Sequence, residues 1–218
     1  MKTIVFIGDS ITDSWRHREL DRYRGSGWVT MTSGKIGADY PGEYQFFNRG
    51  IGGNRTCDLL ARVKKDCINL KPDILTIMIG VNDVWHEVNE NNGVSPELGE
   101  SIMNLFIAEV KAALPDIKIV ILEPFVFCGK ATQENWEIFR TGVAKRAEMS
   151  RRLAEKWNLP FIVLKDELQK LIDKTDVAYV CYDGVHPTCN GHEVISRVVY
   201  EELKKSCKPK GAQMRPFS

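Results

Sequence analysis

The chain opens with an apolar run that ends in a polar turn, Ile4-Val5-Phe6-Ile7-Gly8-Asp9-Ser10-Ile11-Thr12-Asp13. A short continuous apolar run is typical of a strand that is covered on both faces, as in a parallel sheet. A serine directly after such a strand lies at the carboxyl edge of the sheet, where α/β proteins bind their ligands. The stretch therefore predicts an α/β fold and a functional position for Ser10.

Strand-like and helix-like segments alternate along the rest of the chain. Apolar runs recur at 44–47, 74–79, 117–122 and 161–164. Segments with helical spacing of apolar residues lie at 29–38, 59–70, 96–114, 136–157 and 190–204. This alternation predicts a flavodoxin-like, three-layer αβα sandwich with a central five-stranded parallel sheet. We assign one domain to residues 1–205 and a C-terminal tail to 206–218.

Composition argues against several classes of function. Basic and acidic residues number 30 and 29, so no overall field favours nucleic acid or an anionic membrane as a partner. The six cysteines contain no Cys-x-x-Cys pair, which indicates free thiols in a reducing compartment. The first apolar run is too short for a signal peptide, and no later run is long enough to span a bilayer. We expect a cytoplasmic protein that binds neither nucleic acid nor a membrane.

Three further blocks of polar residues are candidates for one site. They are Asn48-Arg49-Gly50-Ile51-Gly52-Gly53-Asn54, Gly80-Val81-Asn82-Asp83 and Tyr182-Asp183-Gly184-Val185-His186-Pro187-Thr188. The first two follow strand-like runs, so the sheet brings them to the same edge as Ser10. The third must fold back over that edge if Asp183 and His186 are to act with Ser10. A serine, an imidazole and a carboxylate together supply the parts of a nucleophilic hydrolase.

The four blocks, in this order, resemble those of the SGNH, or GDSL-type, hydrolases, a family of esterases. The resemblance covers nearly the whole chain and looks strongest to the branch of intracellular acetyl-xylo-oligosaccharide esterases. It implies that Ser10 is the nucleophile, that His186 is its base and that Asp183 orients the imidazole. It also implies an oxyanion hole formed by the backbone N–H groups of Ser10 and Gly53 and the side-chain amide of Asn82.

Residues beside these blocks are candidates for contact with the substrate, namely Asp9, Asn54, Arg55 and Trp85. The resemblance gives Asp9 a structural role before a chemical one. Trp85 is interpreted equally well as a wall of the site and as a partly buried core aromatic. For Asn54 and Arg55 a solvated loop is the alternative to contact with sugar hydroxyls.

Each motif also has a purely structural interpretation. Ser10 can cap the following helix or bind an anion at its N-terminus, and Asn82 can form an Asx turn. Glycines at 52 and 53 both suit a tight turn, and either one can be the oxyanion donor. The spacing from Asn48 favours Gly53.

The remaining histidines are interpreted as solvated or structural. His17 and His86 lie in polar, loop-like surroundings, and His192 lies within the last helical segment. His186, Cys189 and His192 have a spacing that zinc ligands can adopt, but no fourth ligand is evident nearby. We therefore expect no metal.

We predict a serine esterase that removes acetyl or other short acyl groups from O-acetylated carbohydrates, chiefly xylo-oligosaccharides. A Ser-His-Asp mechanism needs no cofactor, so none is expected. The alternatives are a lipolytic esterase, such as a lysophospholipase, thioesterase or platelet-activating-factor acetylhydrolase, and a non-catalytic flavodoxin-like binding module. Segments 86–94 and 125–134 are expected to be loops that select a small acetylated sugar. The resemblance and the aromatic residues of the tail favour a homo-oligomer.

Overall fold

The computed structural model describes residues 1–207, and these form a five-stranded parallel sheet between layers of helices. The strands are β1 (Lys2–Gly8), β2 (Tyr44–Gly50), β3 (Ile74–Met78), β4 (Lys118–Leu122) and β5 (Phe161–Ile162). They lie in the order β2-β1-β3-β4-β5, and each neighbouring pair is parallel. The predicted fold class is confirmed.

Ten α-helices accompany the strands within residues 1–207. They are α1 (Ser10–Asp13), α2 (Trp28–Asp39), α3 (Thr56–Ala61), α4 (Val63–Asp66), α5 (Val81–Glu90), α6 (Pro96–Ala113), α7 (Trp136–Trp157), α8 (Lys165–Ile172), α9 (Val177–Val180) and α10 (Cys189–Lys204). Short 3₁₀ turns lie at Ile68–Leu70 and Gln133–Asn135. Four of the five predicted helices match α2, α6, α7 and α10.

Two expectations about local structure are wrong. Segment 59–70 is not one helix, because Arg62 leaves helical geometry at φ −117° and ψ 12° between α3 and α4. There its guanidinium donates to the carbonyls of Arg49 at 2.7 Å and Gly8 at 3.1 Å. Segment 86–94 is not a loop throughout, because α5 continues until Asn91 ends it in the left-handed conformation at φ 50°.

Each face of the sheet has its own hydrophobic core, because successive side chains of β1 point to opposite faces. Ile4 and Phe6 belong to the core under α2 and α10, where Trp28 meets Phe6 edge-on with ring centroids 5.4 Å apart. Val5 and Ile7 belong to the core under α3, α6 and α7. The sheet is therefore covered on both sides, as the opening apolar run predicts.

The carboxyl ends of β1 and β3 form the crevice of the fold. Strand order reverses at β1, with β2 on one side of it and β3 on the other, and such a switch point leaves a ligand-binding crevice. β1 ends at Gly8 and β3 at Met78, so Ser10 and Asn82 both follow strands that end there.

The end of β2 lies against α1 with no room for a side chain. A Cβ atom on Gly50 would lie 2.2 Å from the backbone nitrogen of Asp13. The buried amide of Asn48 holds this contact, since Nδ2 donates to the carbonyl oxygens of Thr12 at 2.7 Å and Arg24 at 2.8 Å. Its Oδ1 accepts the Gly50 N–H at 2.9 Å. α1 is thereby fixed relative to β2.

Within residues 1–207, none of the helices combines the length and the apolarity needed to cross a bilayer. All six cysteines lie in this range and are free thiols. The tail predicted at 206–218 lies, from residue 208 onwards, outside the described residues. The assignment of residues 1–205 to a single domain stays a prediction.

Gly50→Ala should lower the free energy of unfolding by about 1–3 kcal/mol, because its methyl group would overlap the α1 backbone. Gly34→Ala in α2 is the matched control, since a Cβ there meets nothing within 4 Å. It should raise stability by about 0.5–1 kcal/mol, because alanine favours a helix over glycine. Urea unfolding measures both changes in free energy. A Gly50→Ala variant as stable as the parent protein would contradict the close contact of α1 with β2.

Candidate active site

Ser10 lies at the carboxyl edge of the sheet, as predicted. It is the first residue of α1, and Asp9 caps this helix by accepting the Ile11 N–H at 3.0 Å. The first N–H groups of a helix have no partner within the helix. The Ser10 backbone N–H can therefore donate to a group held beside the Ser10 hydroxyl.

The structure brings Asp183 and His186 to Ser10 from the other end of the chain. Ser10 Oγ lies 2.9 Å from His186 Nε2, and His186 Nδ1 lies 2.7 Å from Asp183 Oδ2. Both residues belong to the turn between α9 and α10, which closes through a bridge between Cys181 and Pro187. The three side chains thus form one continuous hydrogen-bonded chain.

Backbone contacts fix Asp183 as the charged member of this chain. Its Oδ1 accepts the N–H groups of Val185 at 2.9 Å and His186 at 2.8 Å, which leaves Oδ2 for the imidazole. Burial opposes the ionised carboxylate, but the hydrogen bonds from His186 and Val185 hold the pKa of Asp183 below its usual value. Burial also opposes protonation of His186, yet Asp183 outweighs it and raises the pKa of His186 above 6.5. His186 is therefore a stronger base than a free histidine.

Asn82 and Gly53 place two more N–H groups beside Ser10. Asn82 lies in the first turn of α5, and its Nδ2 donates one hydrogen to the Asn54 carbonyl at 3.1 Å. This bond orients the amide and leaves its second hydrogen for a ligand. Gly53 adopts a left-handed φ of +81°, and its N–H has no hydrogen-bond partner within residues 1–207. Such donors can stabilise an oxyanion on a carbonyl attacked by Ser10.

Contacts of the neighbouring glycine favour Gly53 over Gly52 as the donor. The Gly52 N–H already donates to Asp13 Oδ2 at 3.1 Å. A second carboxylate, Asp83, ties the loop to α5, because its Oδ1 accepts the Thr56 N–H at 3.1 Å and the Thr56 hydroxyl at 2.8 Å. The Gly53 N–H is thus held near the Asn82 amide by contacts on both sides of the loop.

Two cavities share the Ser10–His186 pair as a common wall. One, of about 260 Å³, also has Gly53, Asn82, Trp85 and His86 in its lining, and we call it the Gly53 cavity. The other, of about 570 Å³, also has Trp15, Arg16, Arg18 and Tyr182 in its lining, and we call it the Arg16 cavity. An ester placed across the pair thus has a separate space for each of its two halves.

Aromatic rings enclose the imidazole of His186. Tyr182 stacks on it with centroids 5.6 Å apart and an interplanar angle of 13°, and Trp85 approaches it at 5.8 Å. Trp85 also packs edge-on against Phe139 of the core, with centroids 5.7 Å apart. Trp85 thus lines the Gly53 cavity and also packs against the core, and its contact with a substrate stays a prediction.

The other three candidate contact residues are engaged within the protein. Asn54 Oδ1 accepts from Arg62 Nε at 2.8 Å, and Arg55 binds Asp58 at 3.1 Å and the Asn92 carbonyl at 2.7 Å. Asp9 is buried, and none of the three lines either cavity. Contact of Asp9, Asn54 or Arg55 with the substrate stays a prediction.

His192 uses both ring nitrogens within the protein. Nδ1 accepts the Trp28 N–H at 3.2 Å, and Nε2 lies 3.3 Å from Ser14 Oγ. Burial lowers the pKa of His192 to about 4, so the ring is neutral and structural. Because Ser10 and Asp183 occupy both nitrogens of His186, the spacing His186-x-x-Cys189-x-x-His192 does not bring two free imidazoles together.

Among the residues that line the cavities, sequence reasoning missed several, including Arg16, Tyr182 and His86. Arg16 lies in the irregular turn after α1, where the sequence has no periodic pattern from which the direction of a side chain can be predicted. Tyr182 directly precedes Asp183, and that adjacency is a usable signal. His86 was interpreted as solvated because its segment was expected to be a loop; in α5 it lies one turn beyond Asn82 on the same side.

Comparison with known proteins agrees with this architecture. The model of the GDSL-like lipase/acylhydrolase family matches residues 6–194. An acetylxylan esterase from Geobacillus stearothermophilus is 30% identical over 210 residues, which cover 92% of this chain and 93% of that protein. A solved structure from Parabacteroides merdae, described as a GDSL-like lipase, has a TM-score of 0.86, with 30% identity, and covers 93% of this chain and 95% of its own. A solved acetylxylan esterase from G. stearothermophilus has a TM-score of 0.80, with 27% identity, over 97% of each chain.

Asp9→Asn should stabilise the protein more at pH 8 than at pH 5. Burial raises the pKa of Asp9 from 3.8 to about 7, so the folded state keeps a proton that the unfolded state releases. The free energy of unfolding therefore falls as pH rises from 3.8 towards 7, and asparagine removes this loss while keeping the helix cap.

Urea unfolding at both pH values measures the effect, which we expect to be on the order of a few kcal/mol at pH 8. Asp116→Asn is the control, because Asp116 is exposed in a turn and the change should matter little at either pH. An equal gain for Asp9→Asn at both pH values would contradict a buried, protonated Asp9.

Proposed function

We propose that this chain, which belongs to the GDSL-like lipase/acylhydrolase family and is a carboxylic ester hydrolase, removes acetyl groups from O-acetylated carbohydrates such as xylo-oligosaccharides. The observation that carries the proposed mechanism is the chain of hydrogen bonds from Ser10 through His186 to Asp183, at 2.9 Å and 2.7 Å. The Ser10 end of this hydrogen-bonded chain lies beside the Gly53 cavity, which has N–H donors in its lining that are unpaired within residues 1–207.

In the acylation step, Ser10 Oγ attacks the carbonyl carbon of the ester and passes its proton to His186 Nε2. Asp183 stabilises the imidazolium that forms and keeps its Nδ1 protonated. The carbonyl oxygen becomes an oxyanion, which the N–H groups of Ser10 and Gly53 and the amide of Asn82 stabilise. His186 then donates its proton to the alcohol oxygen, and the C–O bond breaks to leave acetyl-Ser10.

Deacylation repeats these steps with water as the nucleophile. His186 removes a proton from water, the hydroxyl oxygen attacks the acetyl carbon, and the oxyanion forms again at the same donors. The C–O bond to Ser10 breaks, Ser10 recovers its proton from His186, and acetic acid leaves and releases its proton to solvent. Each step uses groups of this chain and water.

The volume of the Gly53 cavity supports a short acyl group. The oxyanion donors line this cavity, so the carbonyl group must lie at its mouth and the acyl carbons inside it. At about 260 Å³ it is smaller than the roughly 300–1,000 Å³ of most ligand pockets. Trp85 and His86 form its walls. The acetylxylan esterase among the relatives supports acetylated carbohydrate as the substrate class.

The alternatives have less support. A lysophospholipase or a related lipolytic enzyme needs a long apolar groove for its acyl chain, whereas the Gly53 cavity is small and has polar residues such as Asn89 and Glu90 in its wall. A non-catalytic binding module does not need a serine held within hydrogen-bond reach of a base. A homo-oligomeric state and a cytoplasmic location stay predictions.

Ser10→Ala should reduce kcat for 4-nitrophenyl acetate by about 10⁴ to 10⁶, because the nucleophilic oxygen is lost. His186→Ala should fall in the same range, and the double variant should be hardly slower than either single variant. Stopped spectrophotometric assays and thermal unfolding of each protein measure rate and integrity. Losses that multiply in the double variant would show that the two residues do not act as one unit.

The pH dependence of kcat/KM should follow the protonation of His186. Activity should rise with pH to a plateau, because only neutral His186 accepts the Ser10 proton, and the midpoint should lie above 6.5 because Asp183 raises the pKa. Asp183→Asn should lower both the midpoint and the rate, while Asp116→Asn on the surface should change neither. An unchanged midpoint in Asp183→Asn would show that Asp183 does not raise the pKa of His186.

The acyl preference should reflect the small volume of the Gly53 cavity, about 260 Å³. We expect 4-nitrophenyl acetate to exceed the butyrate in kcat/KM by at least about tenfold, or about 1.4 kcal/mol in the barrier. His86→Ala should narrow this ratio, because His86 Nε2 lies 3.9 Å from the position of a Cβ on Gly53. His86→Gln, which keeps a long side chain, should preserve it. Preference for octanoate in the parent protein would overturn the small-acyl assignment.

A further inference from the structure

The Arg16 cavity contains a guanidinium that the proposed mechanism does not use. The Arg16 side chain is only 7% exposed, and its Nε donates to the Gly50 carbonyl at 2.8 Å. Within residues 1–207 its two terminal nitrogens have no hydrogen-bond acceptor, and its ion pair with Asp13 is loose at 4.0 Å. These two nitrogens keep access to solvent from the cavity, so a ligand there can supply their acceptors.

The charges of the residues that line this cavity are not balanced, and outside the lining Arg49 and Asp66 act on Arg16 in opposite directions. Arg16 and Arg18 are the permanent cations of its lining, and Asp13 is the carboxylate that faces them. Asp13 is already engaged by Arg18 Nη2 at 2.5 Å and by the Gly52 N–H at 3.1 Å. Burial first, and Arg18 second, lower the pKa of Arg16 to about 10, so it stays protonated at neutral pH. One positive charge is left over.

Exposed aromatic side chains border the same cavity. Trp15 is 93% exposed and adopts a left-handed φ of 63° directly after Ser14 at φ 42°. Backbone strain of this kind costs of order 1 kcal/mol and concentrates at ligand sites. Tyr182 is 58% exposed on the far side of its stacked partner His186. Flat faces of this kind suit the apolar face of a sugar ring.

We propose that the Arg16 cavity binds the alcohol half of the ester and that Arg16 selects alcohols carrying a carboxylate, the chemistry of an O-acetylated uronosyl sugar. This rests on the proposed function, because the acyl half is assigned to the Gly53 cavity. A guanidinium binds a carboxylate through two parallel N–H···O bonds, which matches the two unpaired nitrogens of Arg16. A single surplus charge matches a monoanion better than a phosphate dianion.

The Arg16 cavity lies where it can hold the alcohol half of the ester during the proposed reaction. His186 lines both cavities, so it can protonate an alcohol oxygen that leaves towards the Arg16 side. A sugar ring at the larger cavity, about 570 Å³, can present its ester oxygen to His186 and its carboxylate to Arg16. A neutral sugar would leave the guanidinium without a charged partner.

Binding of unacetylated sugars to the full-length protein tests the proposal without turnover. Methyl glucuronoside and methyl glucoside differ only at C6, where a carboxylate replaces a hydroxymethyl group. Ligand-observed NMR titration should give a dissociation constant at least about tenfold lower for the uronide, and this preference should shrink with added salt. Arg16→Gln should bring the ratio close to one. Arg16→Lys, which keeps the positive charge but lacks the planar guanidinium, should retain part of the preference for the uronide.

Arg140→Gln is the matched control, because Arg140 is exposed on α7 and should leave the ratio unchanged. Equal binding of both sugars by the parent protein, or a preference that survives in folded Arg16→Gln, would overturn the proposal. Tighter binding of glucose 6-phosphate than of the uronide would overturn the choice of carboxylate. These outcomes can be told apart from a failure of the proposed function, which would show as absent Ser10-dependent ester hydrolysis or as a preference for long acyl chains.

Discussion

The contact between the end of β2 and α1 is the constraint on which the site depends. Asn48 is buried, and its amide joins Thr12 and Arg24 to the strand, while Gly50 permits the backbones to touch. This contact sets where α1 begins, and so where the Ser10 hydroxyl points. It also sets the start of the loop that carries Gly53. The proposed nucleophile, Ser10, and the proposed oxyanion donor, Gly53, therefore both depend on the contacts of the buried Asn48 side chain for their relative position.

Around this fixed point lie two cavities that share Ser10 and His186, and in the proposed mechanism each holds one half of the ester. Within residues 1–207, the Gly53 N–H and the two terminal nitrogens of Arg16 have no hydrogen-bond acceptor, so the two cavities offer different chemistry to a bound ester. His186 borders both, which suits a group that takes a proton from Ser10 and gives it to the departing alcohol. Selectivity for the acyl group and for the alcohol can thus change independently.

Sequence reasoning recovers the parts of this molecule that local patterns encode. The apolar runs predict the sheet because strands covered on both faces leave few polar positions, and the blocks after β1, β2 and β3 predict that Ser10, Gly53 and Asn82 share an edge. It did not recover Arg16 or the break at Arg62, because both depend on distant carbonyl acceptors, Gly50 for Arg16 and Gly8 for Arg62. The helical state of residues 86–90 depends on where α5 begins, after Gly80 with its φ of 137°.

Ser10 and His186 are 176 residues apart in the chain. Ser10 is therefore synthesised long before His186, and until His186 reaches it the Ser10 hydroxyl has the ordinary, low reactivity of a serine without a base. The docking of α10 against α2, through Trp28 and the buried Ile195, also carries the preceding turn to Ser10. The proposed hydrolytic activity therefore requires the contact between α10 and α2, and a chain in which this contact has not formed keeps Ser10 apart from its proposed base.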